Sequence, residues 1–571
     1  MEDSQQDLRV PLCVMDGKQT LVDILRGEGV EYVFGIPGAT EIQFMDALES
    51  APEIRYMLGL QEVVCVGMAE GYARASGQPG FLNLHTATGL AAATPMLYNA
   101  QLGHVPLVVT VGQNDTRLLQ RDPHLTGDIV GTGKIYAKWS TELVHAQDLP
   151  VVMRRAFKMA TQPPEGPVVV SIPQDVLQQP LDPAPDTYRS SGCGEASRPR
   201  ADREAVGQAV DMLLGARDPL LLVESGVARS DAVEEVVRLA ELVGARVYQG
   251  WMSDVNFPVS HPQYLGDLDP TESAAGPVLA ETDVLVGIGC SLFSHGFVAG
   301  ESRLPAGLRL IHLDDDPWEM NKNLPTDCCL LGDIKATLTE LNEALASLQS
   351  AEARSAVSDR IQAVSTQKRE ATAAWERLLD SSPETSPVSI PVLMRGLRDA
   401  AEHHTVLVDE AWSASPALRK TLPLDTPGTF FRSRKGGSIG SGLPLALGVK
   451  LGLPDKQVLA VVGDGSAAWS MQSLWTAARY EIPVTFVITN NATYGQVKLV
   501  RRAILGDYPL DEKHQGMDID RPVIDFSRLA QAMGVDAERI SRAGEITEAV
   551  KQALHSGRPR LIEIMMESAA S

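Results

Sequence analysis

The sequence predicts an α/β protein of three doubly wound domains, each built around a parallel β-sheet. Short apolar runs recur along the 571 residues and alternate with amphipathic stretches, which is typical of βα units. Two polar segments rich in proline and serine, at 182–202 and 381–391, interrupt this alternation and indicate linkers. Because a chain of this length is too long for one hydrophobic core, we place the domains at residues 14–185, 200–370 and 386–571.

Each domain contains several apolar runs of strand length. The predicted strands are 32–34, 80–85, 105–111 and 167–173 in the first domain; 219–223, 245–248, 283–289 and 309–313 in the second; and 405–409, 458–462 and 484–489 in the third. A long polar stretch at 336–379 is helix-like and closes the second domain.

Composition excludes several classes of function. The formal net charge of −23 disfavours nucleic acid and anionic membranes as partners. No run is long and apolar enough to span a membrane, and the first residues lack the features of a signal peptide, so we expect a cytoplasmic protein. The six cysteines form no C-x-x-C pair, so neither disulfides nor a zinc site is expected.

The strongest chemical signal is a pair of polar motifs that follow two apolar strands of the third domain. Asp464 lies in a Gly-Asp-Gly-Ser turn after the strand at 458–462, and Asn490-Asn491 follow the strand at 484–489. Polar groups at the carboxyl ends of parallel strands face the crevice where ligands bind. The Asp464 carboxylate, the Asn491 amide oxygen and the Thr493 carbonyl suit Mg²⁺. Each motif alone is typical of an ordinary turn, but the combination predicts a metal site.

This combination resembles the diphosphate and Mg²⁺ signature of thiamine-diphosphate-dependent enzymes. The resemblance covers nearly the whole chain and implies a pyrimidine-binding, a central and a diphosphate-binding domain. It implies thiamine diphosphate and Mg²⁺ as cofactors, with Asp464, Asn491 and Thr493 as the metal ligands. The cofactor-binding residues that it implies are these three together with Ser413, Gly437, Ile439, Gly465, Ser466, Tyr494 and Gly495.

A glutamate of the first domain is the implied catalytic group. Glu62 follows Leu60-Gln61, at the place where the family has a glutamate that hydrogen-bonds N1′ of the cofactor's aminopyrimidine. This contact favours the imino tautomer that removes the proton from the reactive carbon. Glu41 and Glu70 are also acidic residues of this region, but only Glu62 follows the motif.

A glycine-rich segment at 436–440 carries two further implied contacts. In the family a bulky aliphatic residue, here Ile439, bends the cofactor so that its amino group approaches the reactive carbon. The Gly437 carbonyl accepts a hydrogen bond from that amino group. The glycine spacing does not fit a dinucleotide-binding fingerprint, and a flexible loop is the structural alternative.

Two histidines indicate a subgroup of the family. His85 ends the strand-like run Asn83-Leu84-His85, which resembles the benzoylformate decarboxylases. A histidine that titrates near neutrality can exchange protons with the carbanion left after CO₂ is lost. His295 matches the second active-site histidine of that group only across a one-residue gap.

The chain departs from that subgroup around the substrate. Ala39 stands where a serine contacts the substrate carboxylate, so another donor is needed there. Gln496, Val497 and Val500 replace bulkier groups of the aryl pocket and become the candidate specificity residues. Trp412 stands where a threonine is expected, which leaves Ser413 as the hydroxyl donor. The middle domain lacks segments like the flavin contacts of acetolactate synthases, so FAD is not expected.

The resemblance implies a non-oxidative decarboxylase that converts a 2-oxo acid into an aldehyde and CO₂. The alternative on the same scaffold is a carboligase or acyloin lyase, which forms or cleaves a hydroxyketone. A non-catalytic scaffold is the third alternative, and the intact set of Glu62, Asp464 and Asn491 counts against it. The partner is a small 2-oxo acid or aldehyde, and the family implies a homo-oligomer, a dimer at least and commonly a tetramer.

Overall fold

The structure is a computed structural model that describes residues 15–181, 198–250, 252–268, 272–293, 304–432, 435–506, 509–510 and 512–567. The chain divides into two compact units, Met1–Glu195 and Ala196–Ser571. The first unit contains one six-stranded sheet and the second contains two. All neighbouring strands of these sheets pair in parallel, which confirms the predicted fold of three parallel-sheet α/β domains. Among the described helices, none is long and apolar enough to cross a membrane.

The N-terminal unit is a parallel sheet with the strand order β3-β2-β4-β5-β7-β6. Its strands are β2 (Tyr32–Gly35), β3 (Arg55–Leu58), β4 (Gly80–Leu84), β5 (Leu107–Gln113), β6 (Trp139–Glu142) and β7 (Val168–Pro173), and a small antiparallel pair joins β1 (Met15–Asp16) to β8 (Pro180–Leu181). Its helices are α1 (Gly17–Gly27), α2 (Ile42–Leu48), α3 (Glu62–Ser76), α4 (Thr86–Leu102), α5 (Ile129–Tyr136) and α6 (Leu149–Thr161).

The middle domain, in the second unit, has the order β11-β10-β9-β12-β13-β14. Its strands are β9 (Pro219–Val223), β10 (Arg246–Gly250), β11 (Tyr264–Leu268), β12 (Val284–Ile288), β13 (Arg309–Asp314) and β14 (Cys328–Leu331). Its helices are α7 (Arg203–Leu214), α8 (Gly226–Arg229), α9 (Val233–Val243), α10 (Glu272–Ala280), α11 (Ile334–Leu348) and α12 (Ala351–Ser381).

The C-terminal domain has the order β16-β15-β17-β18-β20-β19, which repeats the connectivity of the N-terminal sheet. Its strands are β15 (Val406–Glu410), β16 (Phe430–Arg432), β17 (Val458–Gly463), β18 (Val484–Asn490), β19 (Asp536–Ile540) and β20 (Arg560–Met565). Its helices are α13 (Ile390–Ala400), α14 (Ser415–Thr421), α15 (Gly442–Gly452), α16 (Asp464–Trp469), α17 (Ser473–Arg479), α18 (Gly495–Leu505), α19 (Phe526–Ala532) and α20 (Ile546–Leu554).

Helices cover both faces of the sheets, and the central strands are buried along their whole length. Every residue of β5, β9 and β18 is buried. These strands are therefore rich in apolar residues, as parallel strands between two helical layers require. A charged side chain inside a buried strand needs partners, as Glu563 of β20 has, so the polar groups that can meet a ligand lie at the strand ends.

The polar stretch at 336–379 forms two helices where one was predicted. α11 ends at Leu348, and Ser350 starts α12 by accepting a hydrogen bond from the Ala353 N–H at 3.1 Å. Serine is a favoured residue at a helix N-terminus because its hydroxyl satisfies a backbone N–H that has no helical partner. This capping interaction favours a new helix over continuation of the first.

The middle and C-terminal domains share polar and apolar contacts. Arg419 of α14 is buried, donates to the Ser253 carbonyl at 2.7 Å and pairs with Asp267 of the middle domain at 3.3 Å. Val255 of the middle domain packs in the hydrophobic core of the C-terminal domain. The two domains therefore form one compact unit with a charged and an apolar contact between them.

Two glycines meet at the carboxyl ends of β9 and β12, where the strand order of the middle sheet reverses. A β-carbon on Gly289 would lie 2.7 Å from the Cα of Gly226, and Gly289 has a φ of +59°. Both the backbone conformation and the close approach therefore require glycine here. At this point the Gly226 N–H donates to the Gly289 carbonyl at 3.1 Å.

Substitution of Gly289 tests this close contact. We expect Gly289→Ala to lower the free energy of unfolding by about 2 kcal/mol or more. The alanine would have to adopt a left-handed backbone conformation, and its β-carbon would clash with the backbone of Gly226. The matched control is Gly207→Ala in α7, where a β-carbon meets no atom within 4 Å. That change should raise stability by about 0.5–1 kcal/mol. Calorimetric unfolding of both variants measures the difference, and equal stabilities would contradict the packing described here.

Candidate active site

Several candidate site residues follow strands at or next to the point where the strand order of the N-terminal or the C-terminal sheet reverses. In the N-terminal sheet the turn after β2 contains Glu41, and His85 follows β4. In the C-terminal sheet Ser413 follows β15, Asp464 follows β17, and Asn491 follows β18. Crevices at such reversal points, outside the carboxyl ends of the strands, are the usual ligand sites of α/β sheets.

Glu62 and His85 lie beside the same glycine of α4. A β-carbon on Gly89 would lie 3.4 Å from Oε1 of Glu62 and 3.8 Å from Cβ of His85. Glu62 is half-buried at the start of α3, and His85 is the residue that precedes α4. The structure therefore brings together the two residues of the N-terminal unit for which a catalytic role was predicted.

A buried carboxylate holds the imidazole of His85. Nδ1 of His85 lies 2.8 Å from Oε2 of Glu41, and the side chains are 21% and 1% exposed. The Thr40 hydroxyl and the Gly38 N–H also donate to this carboxylate, at 2.5 Å and 2.9 Å. With Nδ1–H donating to Glu41, Nε2 is the nitrogen of His85 that can exchange a proton with a substrate.

Glu41 is a candidate site residue to which sequence reasoning gave no role. The available signal was its place just after the Pro37-Gly38 turn, two residues beyond Ala39. Gly38 must be glycine, because a β-carbon there would lie within 2.4 Å of three ring atoms of His85. Ala39 itself is exposed. The other acidic residue of the region, Glu70, is buried and paired with Arg74 at 2.9 Å.

Asp464 is a buried carboxylate with one free oxygen. Its Oδ1 accepts the Gly465 N–H at 2.8 Å, whereas Oδ2 has no hydrogen-bond partner among the described residues. Burial raises the pKa of Asp464 to about 6, and the N–H groups of Gly465, Ala492 and Thr493 partly oppose this. The last two groups place the carboxylate beside the turn that follows β18.

The two adjacent asparagines at the end of β18 have different roles. Asn490 is buried and its amide donates to Glu563 at 2.7 Å and to the Ile524 carbonyl at 3.1 Å. Asn491 is half-buried, and its Oδ1 accepts the Thr493 N–H at 3.2 Å. Asn490 therefore fixes the end of the strand, and Asn491 presents its side chain in the turn.

This oxygen set fits a hard divalent cation. The free Oδ2 of Asp464, the Asn491 amide oxygen and the Thr493 carbonyl are the kinds of ligand that Mg²⁺ takes, with phosphate and water completing the octahedron. Among the described residues, no group of three or more His, Cys, Asp or Glu side chains could hold a metal ion. The site formed by Asp464, Asn491 and Thr493 has only one such side chain, because its other two oxygens come from an amide and a backbone carbonyl.

Glycines let the neighbouring segments approach this turn closely. A β-carbon on Gly465 would lie 2.6 Å from the Tyr494 ring, so the ring packs directly on the backbone there. A β-carbon on Gly495 would lie 3.3 Å from the Asn491 amide nitrogen and 3.9 Å from the Ser413 hydroxyl. Ser466 is buried in the first turn of α16. The residues for which diphosphate contacts were predicted thus surround one turn.

Residues 435–442, here called the glycine loop, are held by Glu410 at the end of β15. This carboxylate is buried and accepts the N–H groups of Gly440 at 2.9 Å, Ser441 at 3.3 Å and Gly442 at 2.6 Å. Burial raises the pKa of Glu410 to about 7, and these donors oppose the shift. Glu410 was not identified from the sequence, although an acidic residue that ends an apolar strand at this edge was a usable signal.

The two predicted cofactor contacts of the glycine loop lie before this anchored end. Gly437 is exposed with a φ of +73°, and a β-carbon there would meet no atom within 4 Å. Ile439 is half-buried, one residue before the first N–H that Glu410 binds. Gly437 and Ile439 lie in no helix or strand, so their positions depend on the hydrogen bonds of Glu410 to the end of the glycine loop.

Three non-glycine residues next to predicted site residues have left-handed backbone conformations. Thr86, with a φ of 52°, follows His85; Trp412, at 50°, precedes Ser413; and Ala492, at 55°, separates Asn491 from Thr493. Such conformations cost about 1–3 kcal/mol each and concentrate at functional sites. Sharp turns therefore follow β4 in the N-terminal unit, and β15 and β18 in the C-terminal domain, each next to a predicted site residue.

The candidate specificity residues lie on α18. Gln496 and Val500 are half-buried and Val497 is exposed. Between them Lys498 is buried and pairs with Asp518 at 2.6 Å, so it holds a neighbouring segment. The other predicted histidine, His295, lies outside the described residues.

Three family models match the chain. The N-terminal TPP binding domain of thiamine pyrophosphate enzymes matches residues 15–131, their central domain matches 206–341, and their C-terminal TPP binding domain matches 414–564. The second of these regions contains the middle sheet of the structure, and the third contains the C-terminal sheet from β16 onward, without β15. The first contains β2 and β4, the strands that precede Glu41 and His85.

Individual proteins of this kind are similar along their whole length. A benzoylformate decarboxylase of Pseudomonas aeruginosa is 32% identical over 549 residues, which are 95% of this chain and 97% of that protein. A probable acetolactate synthase large subunit of Methanococcus aeolicus is 28% identical over 570 residues, 98% of this chain and 93% of that protein. The solved thiamine diphosphate-dependent 4-hydroxybenzoylformate decarboxylase of Rhodococcus jostii RHA1 has a TM-score of 0.85 at 29% identity, covering 97% of this chain and 100% of that one.

Alanine substitution of the two asparagines should separate their roles. We expect Asn490→Ala to lower the free energy of unfolding of the cofactor-free protein by about 2 kcal/mol, because buried acceptors on Glu563 and Ile524 lose their donor. Asn491→Ala removes one contact in a half-exposed turn and should cost less than about 1 kcal/mol. Scanning calorimetry of the two variants measures this, and similar losses in both would show that Asn491 is also a structural residue.

Proposed function

Because the chain belongs to the family of thiamine-diphosphate-dependent enzymes, we propose that it is a Mg²⁺-dependent decarboxylase that converts a 2-oxo acid into an aldehyde and CO₂. The observation that carries this proposal is the Glu41–His85 pair beside Glu62. An oriented imidazole supplies the proton that replaces the lost carboxylate on the substrate carbon. The similarity to two named decarboxylases of aromatic 2-oxo acids supports the same reaction class.

The residues of the C-terminal domain would hold the cofactor. Asp464, Asn491 and the Thr493 carbonyl would bind Mg²⁺, and Ser413, Ser466 and the backbone around Gly465 and Gly495 would bind the diphosphate. Gly437 and Ile439 would contact the cofactor's rings. When bound, thiamine diphosphate supplies the nucleophilic carbon and the electron sink for loss of CO₂.

The residues of the N-terminal unit would handle protons. Glu62 would hold the cofactor in its reactive tautomer by a hydrogen bond to a ring nitrogen. Nε2 of His85 would deliver a proton to the substrate carbon from which CO₂ departs, while Glu41 keeps Nδ1 occupied. The overall change is balanced, since one 2-oxo acid in its carboxylate form and one proton give one aldehyde and one CO₂.

A carboligase or acyloin lyase is the second candidate. The similarity to an acetolactate synthase large subunit favours it, because such a reaction uses the same loss of CO₂ and then forms a carbon–carbon bond. It differs in its last step, where a second carbonyl compound and not a proton meets the substrate carbon. We also propose that the enzyme is a homo-oligomer, a dimer at least.

Cofactor binding and product analysis test the proposed function. We expect thiamine diphosphate to bind in a calorimeter only when Mg²⁺ is present, and Asp464→Asn and Asn491→Ala to lose this binding. The loaded protein, supplied with aryl and branched aliphatic 2-oxo acids, should release aldehyde and CO₂ in equal amounts. Glu62→Gln should keep the cofactor and lose about a hundredfold or more of turnover.

Two outcomes would change this assignment. If the wild-type protein does not bind thiamine diphosphate with Mg²⁺, the whole proposal is wrong. If mass spectrometry identifies a hydroxyketone as the main product, the protein is a carboligase and not a decarboxylase.

The role of Glu41 has a separate test. We expect Glu41→Gln to lower kcat about tenfold or more without changing thiamine diphosphate affinity, because the amide no longer holds His85 as a carboxylate does. In a His85→Ala background the same change should have no further effect. The exposed Glu49 provides the control Glu49→Gln, which should leave kcat unchanged. Additive effects of Glu41→Gln and His85→Ala would refute the pairing.

A further inference from the structure

The start of the glycine loop is held by the middle domain. Nζ of Lys435 lies 2.5 Å from Oε2 of Glu224, and the two side chains are 22% and 11% exposed. Glu224 belongs to the middle domain, directly after β9, and Lys435 is the first residue of the glycine loop. This ion pair therefore joins the carboxyl edge of one sheet to a loop of the other.

Glu224 has little freedom to move away from this position. A β-carbon on Gly250, at the end of β10, would lie 2.3 Å from Oε1 of Glu224, so the carboxylate packs directly on that backbone. The Glu224 N–H also donates to the carbonyl of Ile288, at the end of the neighbouring strand β12. A carboxylate seated in this way needs a charged partner, since an unpaired buried charge is costly.

The other end of the glycine loop is held by the second carboxylate, Glu410, which accepts three successive N–H groups from Gly440 to Gly442. Between these anchors the chain turns at Gly437, which has a left-handed backbone conformation, and an added β-carbon there would meet no atom within 4 Å. A short segment fixed at both ends has few conformations available. Its conformational entropy is lost when the protein folds, so a ligand does not have to order the segment on binding. Gly437 and Ile439 lie within this segment.

We propose that Glu224 and Lys435 are positioning residues for the cofactor, through which the middle domain sets where Gly437 and Ile439 contact it. This inference rests on the proposed function, because it requires thiamine diphosphate to bind against the glycine loop. It assigns the middle domain a part in cofactor binding although the site residues lie in the other two domains. Loss of the ion pair should leave the binding groups intact and the loop displaced.

A second contact between the same domains provides the control. Arg419 and Asp267 also form a pair between the C-terminal and middle domains, at 3.3 Å, but this pair involves α14 and not the glycine loop. If an effect of breaking Glu224–Lys435 arose from a loosened domain contact, Asp267→Asn should reproduce it. If the effect arises from the position of the loop, Asp267→Asn should not.

The experiment is a double-mutant cycle read by cofactor affinity. Thiamine diphosphate binding in saturating Mg²⁺ is measured calorimetrically for the wild type, Lys435→Met, Glu224→Gln, the double variant and Asp267→Asn. We expect each single change at the pair to weaken binding about tenfold, and the double variant to be no weaker than the singles, because the second change removes an interaction already lost. Asp267→Asn should bind as the wild type does. Glu224→Gln preserves side-chain shape, so it remains informative if Lys435→Met does not fold.

The outcomes are distinct. Full affinity in the single variants, additive losses in the double variant, or an equal loss in Asp267→Asn would each overturn the positioning role. In all three cases the wild type would still bind thiamine diphosphate, and the proposed function would stand. Failure of the wild type to bind would instead remove the proposed function itself.

Discussion

The parallel sheets of this protein are covered by helices on both faces, and this constraint determines where its chemistry can occur. Strands such as β5 and β18 are buried along their whole length, so a charged group within them would be desolvated without a partner. Polar side chains inside the strands, such as Thr110 of β5, need buried partners, so side chains that are free to meet a ligand lie where the strands end. The reversal of strand order then opens a crevice at one such edge. His85 and Asp464 are placed by this geometry, each just after a strand beside the reversal.

Buried carboxylates organise the segments that follow the strands. Glu41 holds the imidazole of His85, Glu410 holds one end of the glycine loop, and Glu563 holds Asn490 at the end of β18. Each carboxylate accepts several donors, which satisfies a group that would otherwise be costly to bury. The irregular turns next to the candidate site residues are therefore each held by several hydrogen bonds. Support of this kind is what a site needs in order to place reacting groups within fractions of an ångström.

Much of the fold could be predicted because its signals are local. Apolar runs identified the central strands to within a few residues, and β9 was predicted with the bounds that it has in the structure. The break between α11 and α12 was missed because polar residues occur in both helices and across the break, where the Ser350 cap starts the second helix. The grouping of the middle and C-terminal sheets in one unit was also not predicted, since it depends on contacts such as Arg419–Asp267 that join distant parts of the chain.

The sequence by itself determined which residues end the apolar strands, and therefore which cofactor family the chain resembles. Asp464 and Asn491 could be read in this way because a strand and the turn after it are adjacent in sequence. Tertiary structure decided what orients these residues. Glu41 meets His85 because β2 and β4 are neighbours in the sheet, and sequence spacing does not specify strand order. Lys435 meets Glu224 only because the middle and C-terminal domains pack together, and sequence spacing does not specify that packing either.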